Sequence, residues 1–236
     1  MAGNINKVTG FESLLLLLLF VSSAFQCEQE KEPEFVPITL SIPFTITPLS
    51  STIFLGDTIW VTANFSEVFS EYKTTDEYVI KNFDFKSKVG LFKFINSNII
   101  MGDQPSATDF FTFVPVTGTV PFIGETFSPF TFVYDANQYK FKLGLVPKQR
   151  GVYCINFLPP GDIQGNFEAA LDLGVNNMGQ KRIPVLEYVL FVINDGNTNF
   201  DLFQKHCRAT STTFPGNQDF TNINYEQKGS FTFEVK

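Results

Sequence analysis

Histidine is nearly missing from this chain of 236 residues: His206 is the only one. Any Ser-His-Asp or Cys-His arrangement would have to be built on it, and no Gly-x-Ser-x-Gly stretch occurs. Cysteine is scarce too, with three residues, so a zinc site of the usual His/Cys type lacks ligands. Positive charge is thin. Seventeen Lys and Arg face 24 Asp and Glu for a net charge of −7, and the densest pairs are Lys148 with Arg150 and Lys181 with Arg182. Nucleic-acid binding needs a concentrated basic face, and none is present. No apolar run reaches the roughly 20 residues that cross a bilayer as a helix.

Phenylalanine is abundant: 29 Phe stand against 7 Tyr and 1 Trp. Phe suits pleated, half-buried surfaces and fills much core volume per residue. An aromatic ligand platform would instead use Trp and Tyr for their polar handles. The composition therefore predicts a β core packed with rings in one globular unit.

Residues 1–26 read as an export signal. Lys7 gives a positive start, Leu14–Val21 is a short apolar run, and the small residues Ser22, Ser23 and Ala24 follow. Two processing outcomes compete. Ser22 and Ala24 fit ordinary cleavage after Ala24; alternatively Cys27 is lipidated, although Ala24-Phe25-Gln26 departs from the usual residues before a lipoprotein cysteine. The reading adopted is lipidation. It leaves Cys154 and Cys207 as an even pair, which in an oxidising compartment predicts a disulfide. Residues 27–37, with four glutamates and two prolines, read as an acidic tether, and 38–236 as the folded domain.

That domain is full of two-residue steps. Ile59, Val61, Ala63 and Phe65 share one face of a strand, with Thr58, Trp60, Thr62 and Asn64 on the other. Phe-x-Phe recurs at 83/85, 92/94, 111/113, 130/132 and 231/233. Ile38–Ile46 is extended but carries Pro43, which predicts an edge strand or a bulge. The segment 139–157 reads as a hairpin, with Tyr153, Ile155 and Phe157 on one face of the return strand and Cys154 on the other. Phe200, Phe203 and Cys207 follow helical spacing behind a candidate N-cap, Asn199. A short helix near 199–208 is thus expected on the outside of the sheet, pinned by Cys154–Cys207. Residues 160–182 show no clear period; Leu186–Ile193 and Gly229–Val235 read as strands. Many short strands with turns between them predict a mainly β fold, a β-sandwich.

Leu55-Gly56-Asp57-Thr58-Ile59-Trp60-Val61-Thr62-Ala63-Asn64-Phe65, Arg150-Gly151-Val152-Tyr153 and Lys228-Gly229-Ser230-Phe231-Thr232-Phe233 resemble stretches of uncharacterised exported lipoproteins of Bacteroidota-type bacteria. The acidic tract after Cys27 is similar to the one that marks their surface-exported members. The Gly-Asp-Thr and Gly-x-Tyr strands also look like parts of immunoglobulin-like sandwiches. The resemblance covers about a quarter of the chain and implies that fold, an outer-membrane or cell-surface location (the alternative being periplasmic or secreted), and a corner role for Tyr153. It implies no activity, and it does not carry over the inter-sheet disulfide, because Cys154 adjoins Tyr153 instead of lying two residues on.

Weak chemical candidates remain. Asp195, Asn197, Asn199 and Asp201 have the alternate spacing of a calcium loop, but Phe200 stands where the turn glycine belongs. Trp60 lies on the polar face of its strand, as a ligand contact or beneath a loop or the pinned helix. No cofactor is implied. The sequence is read as an envelope lipoprotein acting as a non-catalytic binding or structural module, anchored in the outer membrane and facing a glycan or envelope protein. The alternative is an exported glycan-active hydrolase using paired carboxylates.

Overall fold

The computed structural model describes residues 31–85, 87–121, 126–158, 164–208 and 222–236. The expected signal segment 1–26 and Cys27 lie outside these residues. The chain forms two compact units, one of residues up to Glu34 with Gly174–Arg182, the other of Phe35–Leu173 with Ile183–Lys236.

In chain order the strands are β1 (Glu34–Thr47), β2 (Thr52–Ile53), β3 (Ile59–Ser66), β4 (Val68–Ser70), β5 (Glu77–Val79), β6 (Lys88–Phe94) and β7 (Phe111–Thr117). They continue with β8 (Phe127–Pro129), β9 (Val133–Asp135), β10 (Gln138–Pro147), β11 (Gly151–Leu158), β12 (Arg182–Ile193) and β13 (Ser230–Val235). Two α-helices are present among the described residues, α1 (Gln164–Ala170) and α2 (Phe200–His206). One sheet has the order β12-β1-β3-β10-β7, with β9 also on β10; the second has the order β2-β13-β11-β6-β8; β4 and β5 form a small hairpin.

The fold is the expected β-sandwich. Ile38, Leu40, Ile42, Phe44 and Ile46 of β1, Ile59, Val61 and Ala63 of β3, and Tyr139, Phe141, Leu143 and Leu145 of β10 are buried in one cluster. Val89 and Leu91 of β6, Tyr153, Ile155 and Phe157 of β11, and Phe231, Phe233 and Val235 of β13 meet them there. Phe44 from the first sheet stacks on Phe157 from the second, centroids 4.1 Å apart. Such ring pairs add stability beyond the area they bury.

Several expectations change. The 139–157 segment is not a hairpin. β10 pairs with β3, β7 and β9, while β11 pairs with β13 and β6, so the Lys148–Arg150 turn carries the chain from one sheet to the other. Both strands own a fully apolar face, and packing face to face buries both at once, which edge pairing would not. The Tyr153 hydroxyl donates to the carbonyls of Gln149 (3.0 Å) and Arg150 (3.3 Å), fixing that corner as the sandwich resemblance implied. Strand β1 runs unbroken through the exposed Pro43 and lies inside the sheet order. Its pairing with β3 starts only at Thr45, so the missing N–H falls outside that register. The acidic stretch is strand from Glu34 onward rather than tether to Pro37. Helix α1, which no periodicity announced, places Phe167 in the core against Phe83.

Helix α2 forms where expected and lies on the outer face of the second sheet. Phe203 and Cys207 pack with Phe92 and Phe94 of β6, Cys154 of β11, and Met101. Asn199 precedes the helix in a left-handed conformation, but its side chain does not cap it; its amide donates to the Thr232 carbonyl of β13 at 3.0 Å. The expected Cys154–Cys207 disulfide is not formed. Both are buried free thiols; Cys154 Sγ contacts Met101 Sδ at 3.8 Å and Cys207 Sγ contacts the Ile99 carbonyl at 3.6 Å. Burial pushes both thiols up to about 12, which keeps them protonated and poorly nucleophilic at neutral pH. No described helix is long and apolar enough to cross a membrane.

Candidate functional site

Among the described residues, the outer face of the first sheet is the open one. On β3 the alternation that buries Ile59, Val61 and Ala63 turns Trp60, Thr62 and Asn64 outward. Trp60 sits opposite Thr47 of β1 and Gly144 of β10. A Cβ at Gly144 would lie 3.0 Å from Trp60 Cζ3, 3.2 Å from the Thr58 methyl and 3.2 Å from Val114 Cβ. Gly144 is therefore the seat of the indole, and any larger residue there would lift it. The Lys142 ammonium lies 4.7 Å from the ring centroid, a cation–π contact that holds the ring while leaving it half-exposed. Around it stand Thr45, Thr47, Thr62 and Val114, with the Thr62 hydroxyl donating to the Thr45 carbonyl at 3.1 Å. Val114 and Val116 of β7 remain exposed.

Trp60 is thus not beneath helix α2, which packs on the other sheet. The alternation identified its outward face; Gly144 and Lys142 were missed. The available signal was a glycine inside an otherwise alternating strand, which marks a close approach.

Two of the buried carboxylates, Glu67 and Glu71, flank β4. Glu71 is buried, and its carboxylate accepts the backbone N–H groups of Thr39 (3.0 Å), Lys73 (2.6 Å) and Thr74. Burial alone would raise its pKa, but the amides of Thr74, Thr39 and Lys73 outweigh that and hold it below the ordinary value. A carboxylate so held is a poor proton donor and a good clamp for the 71–74 turn. Glu67, also buried, accepts the Tyr134 hydroxyl and lies 3.9 Å from the Lys81 ammonium. Burial pushes the neighbouring Tyr139 hydroxyl up to about 12; it donates to the Ile80 carbonyl and accepts from the Phe83 N–H, both at 2.8 Å. These bonds tie the β4–β5 segment to the first sheet.

The residues with calcium-loop spacing fall on a 3-10 turn, Asn194–Gly196, and the start of α2. Asp195, Asn197 and Asp201 are exposed, and Asn199 is turned to Thr232. The loop is knit by Asn194, whose side chain accepts from Ile46 N–H at 2.8 Å. Among the described residues no group of three or more His, Cys, Asp and Glu is gathered for a metal ion. His206 is on the last turn of α2, partly exposed.

Comparison with known proteins found no matching family model and no matching curated protein. Among solved structures, a type II cohesin domain from the cellulosome of Acetivibrio cellulolyticus aligns at 13% identity and TM-score 0.25, over 51% of this chain and 75% of that one. The type II cohesin dyad from the adaptor ScaA scaffoldin of the same organism aligns at 13% identity and TM-score 0.27, over 64% of this chain and 46% of that one. At these scores the likeness carries no functional argument, and the β-sandwich rests on the strands and core described above.

Proposed function

We propose that the chain is an exported envelope lipoprotein, anchored through Cys27, that works as a non-catalytic binding module through the open face of its first sheet. The observation that carries this reading is the half-exposed Trp60 ring, seated on Gly144 and held by Lys142 among threonine hydroxyls. A half-exposed, immobilised indole with an ammonium over its ring and threonine hydroxyls beside it fits a sugar: the apolar side of the sugar packs on the exposed part of the indole, and its hydroxyls meet the ammonium and the threonines. Little side-chain entropy is lost on binding, because the ring is already fixed.

Trp60 is the only tryptophan, so its emission reports the site directly. Titration with envelope glycan fragments should give a saturable emission shift without turnover. Trp60→Ala should abolish capture of those fragments by immobilised protein while leaving the melting temperature close to that of the parent. Turnover of a glycan that is lost on a single Asp or Glu change, with Trp60 emission unmoved, would instead establish the hydrolase.

A further inference from the structure

Beside its ring, the open face of the first sheet carries one cation that the protein does not balance. In the β3–β10 register Trp60 stands opposite Gly144, Thr62 opposite Lys142, and Asn64 opposite Lys140. Lys142 is exposed and lies diagonally from Trp60, its ammonium 4.7 Å from the ring centroid. The next rung, about 7 Å further along the strands, brings the exposed Asn64 and the half-buried Lys140. Lys140 is paired with Asp135 of β9 at 2.9 Å. Lys142 has no such partner: among the described residues no carboxylate forms an ion pair with it. The flanking outward positions, Thr45 and Thr47 of β1 and Thr112 and Val114 of β7, add no carboxylate.

A cation–π contact holds the ammonium but leaves its charge uncompensated, because the ring offers a quadrupole and no counter-charge. While the face is open, solvent balances that charge. A sugar packing on the exposed part of the indole displaces solvent from the ammonium over it, and a charge stripped of water without a partner is costly. A neutral sugar returns only hydroxyl acceptors. An anionic group returns charge-assisted hydrogen bonds, about twice as strong, and the Asn64 amide offers further N–H donors one rung away. The net charge of −7 opposes an acidic ligand at long range. At physiological salt such fields are screened beyond about 8 Å, so the local donors decide.

We infer that the Trp60 face selects acidic sugars, those whose ring carries a carboxylate or a sulfate, with Lys142 as the residue that reads the charge. The inference rests on the binding reading above and narrows it to one class of glycan.

The test uses the full chain, immobilised, and three probes: envelope polysaccharide, oligouronates and sulfated glycosaminoglycan fragments. Each is offered in its native form and with its charge removed, by carboxyl reduction of uronates to the neutral sugar of the same ring or by desulfation. Capture should favour the native form, and the treatment that abolishes the preference names the anion. Lys142→Met should weaken capture of the native form roughly fivefold, and Lys142→Glu roughly tenfold or more, with melting temperatures near the parent value. Lys142→Arg keeps the charge and pairs well with carboxylate or sulfate, so its capture should stay near that of the parent. Equal capture of native and neutral forms, lost in Trp60→Ala, overturns the charge selection and leaves the binding reading standing. A preference for the native form that Lys142→Glu does not move overturns the role of Lys142. Capture of neither form of any probe overturns the binding reading and the selection with it.

Discussion

The two outer faces of the sandwich are built on the same alternation and end differently. On β6, Val89 and Leu91 point into the main core while Phe92 and Phe94 point out, and the outward pair is covered by α2 with Phe203, Cys207 and Cys154. On β3, Ile59, Val61 and Ala63 point in while Trp60, Thr62 and Asn64 point out and stay at the surface. Each face also seats a ring on a strand glycine. Phe127 lies against Gly90, 2.6 Å from where a Cβ would be, as Trp60 lies against Gly144. On the covered face the ring joins a buried cluster, and on the open face it stays half-exposed. A strand apolar on both faces asks for a cover, whereas a strand polar on one face and bearing a single large ring there offers a surface.

The sharpest way to break the contrast is to empty the covered face. Phe92 is fully buried, with its ring 5.3 Å from that of Phe127. Phe92→Ala should cost about 3–5 kcal/mol of unfolding free energy, because the cavity forms under α2 and the sheet cannot close it. The outward Val114→Ala on the other face should cost less than about 1 kcal/mol. Denaturant titration of both variants checks this, and equal losses would show that the open face is a second core.

The covered face also holds both domain thiols, which makes it sensitive to alkali. Burial raises Cys154 and Cys207 to about 12 from an ordinary value near 9. The unfolded chain loses those protons first, so this contribution to stability is complete below about pH 9 and is lost as pH climbs toward 12. Melting temperatures followed over that range should fall. Cys154→Ala/Cys207→Ala should flatten the part of the fall that exceeds that of the tyrosines, Tyr139 among them.

The residues that identified the fold were those whose environment is set within a few positions. Alternation in Ile59–Phe65, Tyr139–Leu145 and Phe231–Val235 is a local property, and it placed these faces correctly. Which strand pairs with which is not local. Tyr139–Leu145 and Tyr153–Phe157 flank a short polar turn as a hairpin would, and only the competition between two apolar faces sends them to different sheets. The β9–β10 hairpin escaped for a related reason. Its two-residue turn is Ala136-Asn137 with φ of 50° and 63°, and alanine there gives none of the usual signal for positive φ. At the site, Trp60 was legible as outward, but its seat was not, because Gly144 and Lys142 come from a strand whose register with β3 is fixed by the whole sheet.

On the open face the first test is the seat. Gly144→Val puts a branched side chain where a single Cβ already falls 3.0 Å from the indole and 3.2 Å from Val114 and Thr58. The backbone need not change, so the cost should be moderate, about 1–3 kcal/mol, but Trp60 must swing off its seat and its emission should shift to longer wavelength. The smallest effect is the most informative about function. Lys142→Met removes the charge at 4.7 Å from the ring while keeping an apolar stem beside it. Cation–π contacts at exposed sites contribute about 0.5–1 kcal/mol, so unfolding should hardly change. If the ring with the ammonium over it is the binding surface, glycan affinity should fall while Trp60 emission in the free protein stays near its parent value. Unchanged affinity would mean that the ammonium only steadies the ring, and that the hydroxyls of Thr45, Thr47 and Thr62 alone form the polar border.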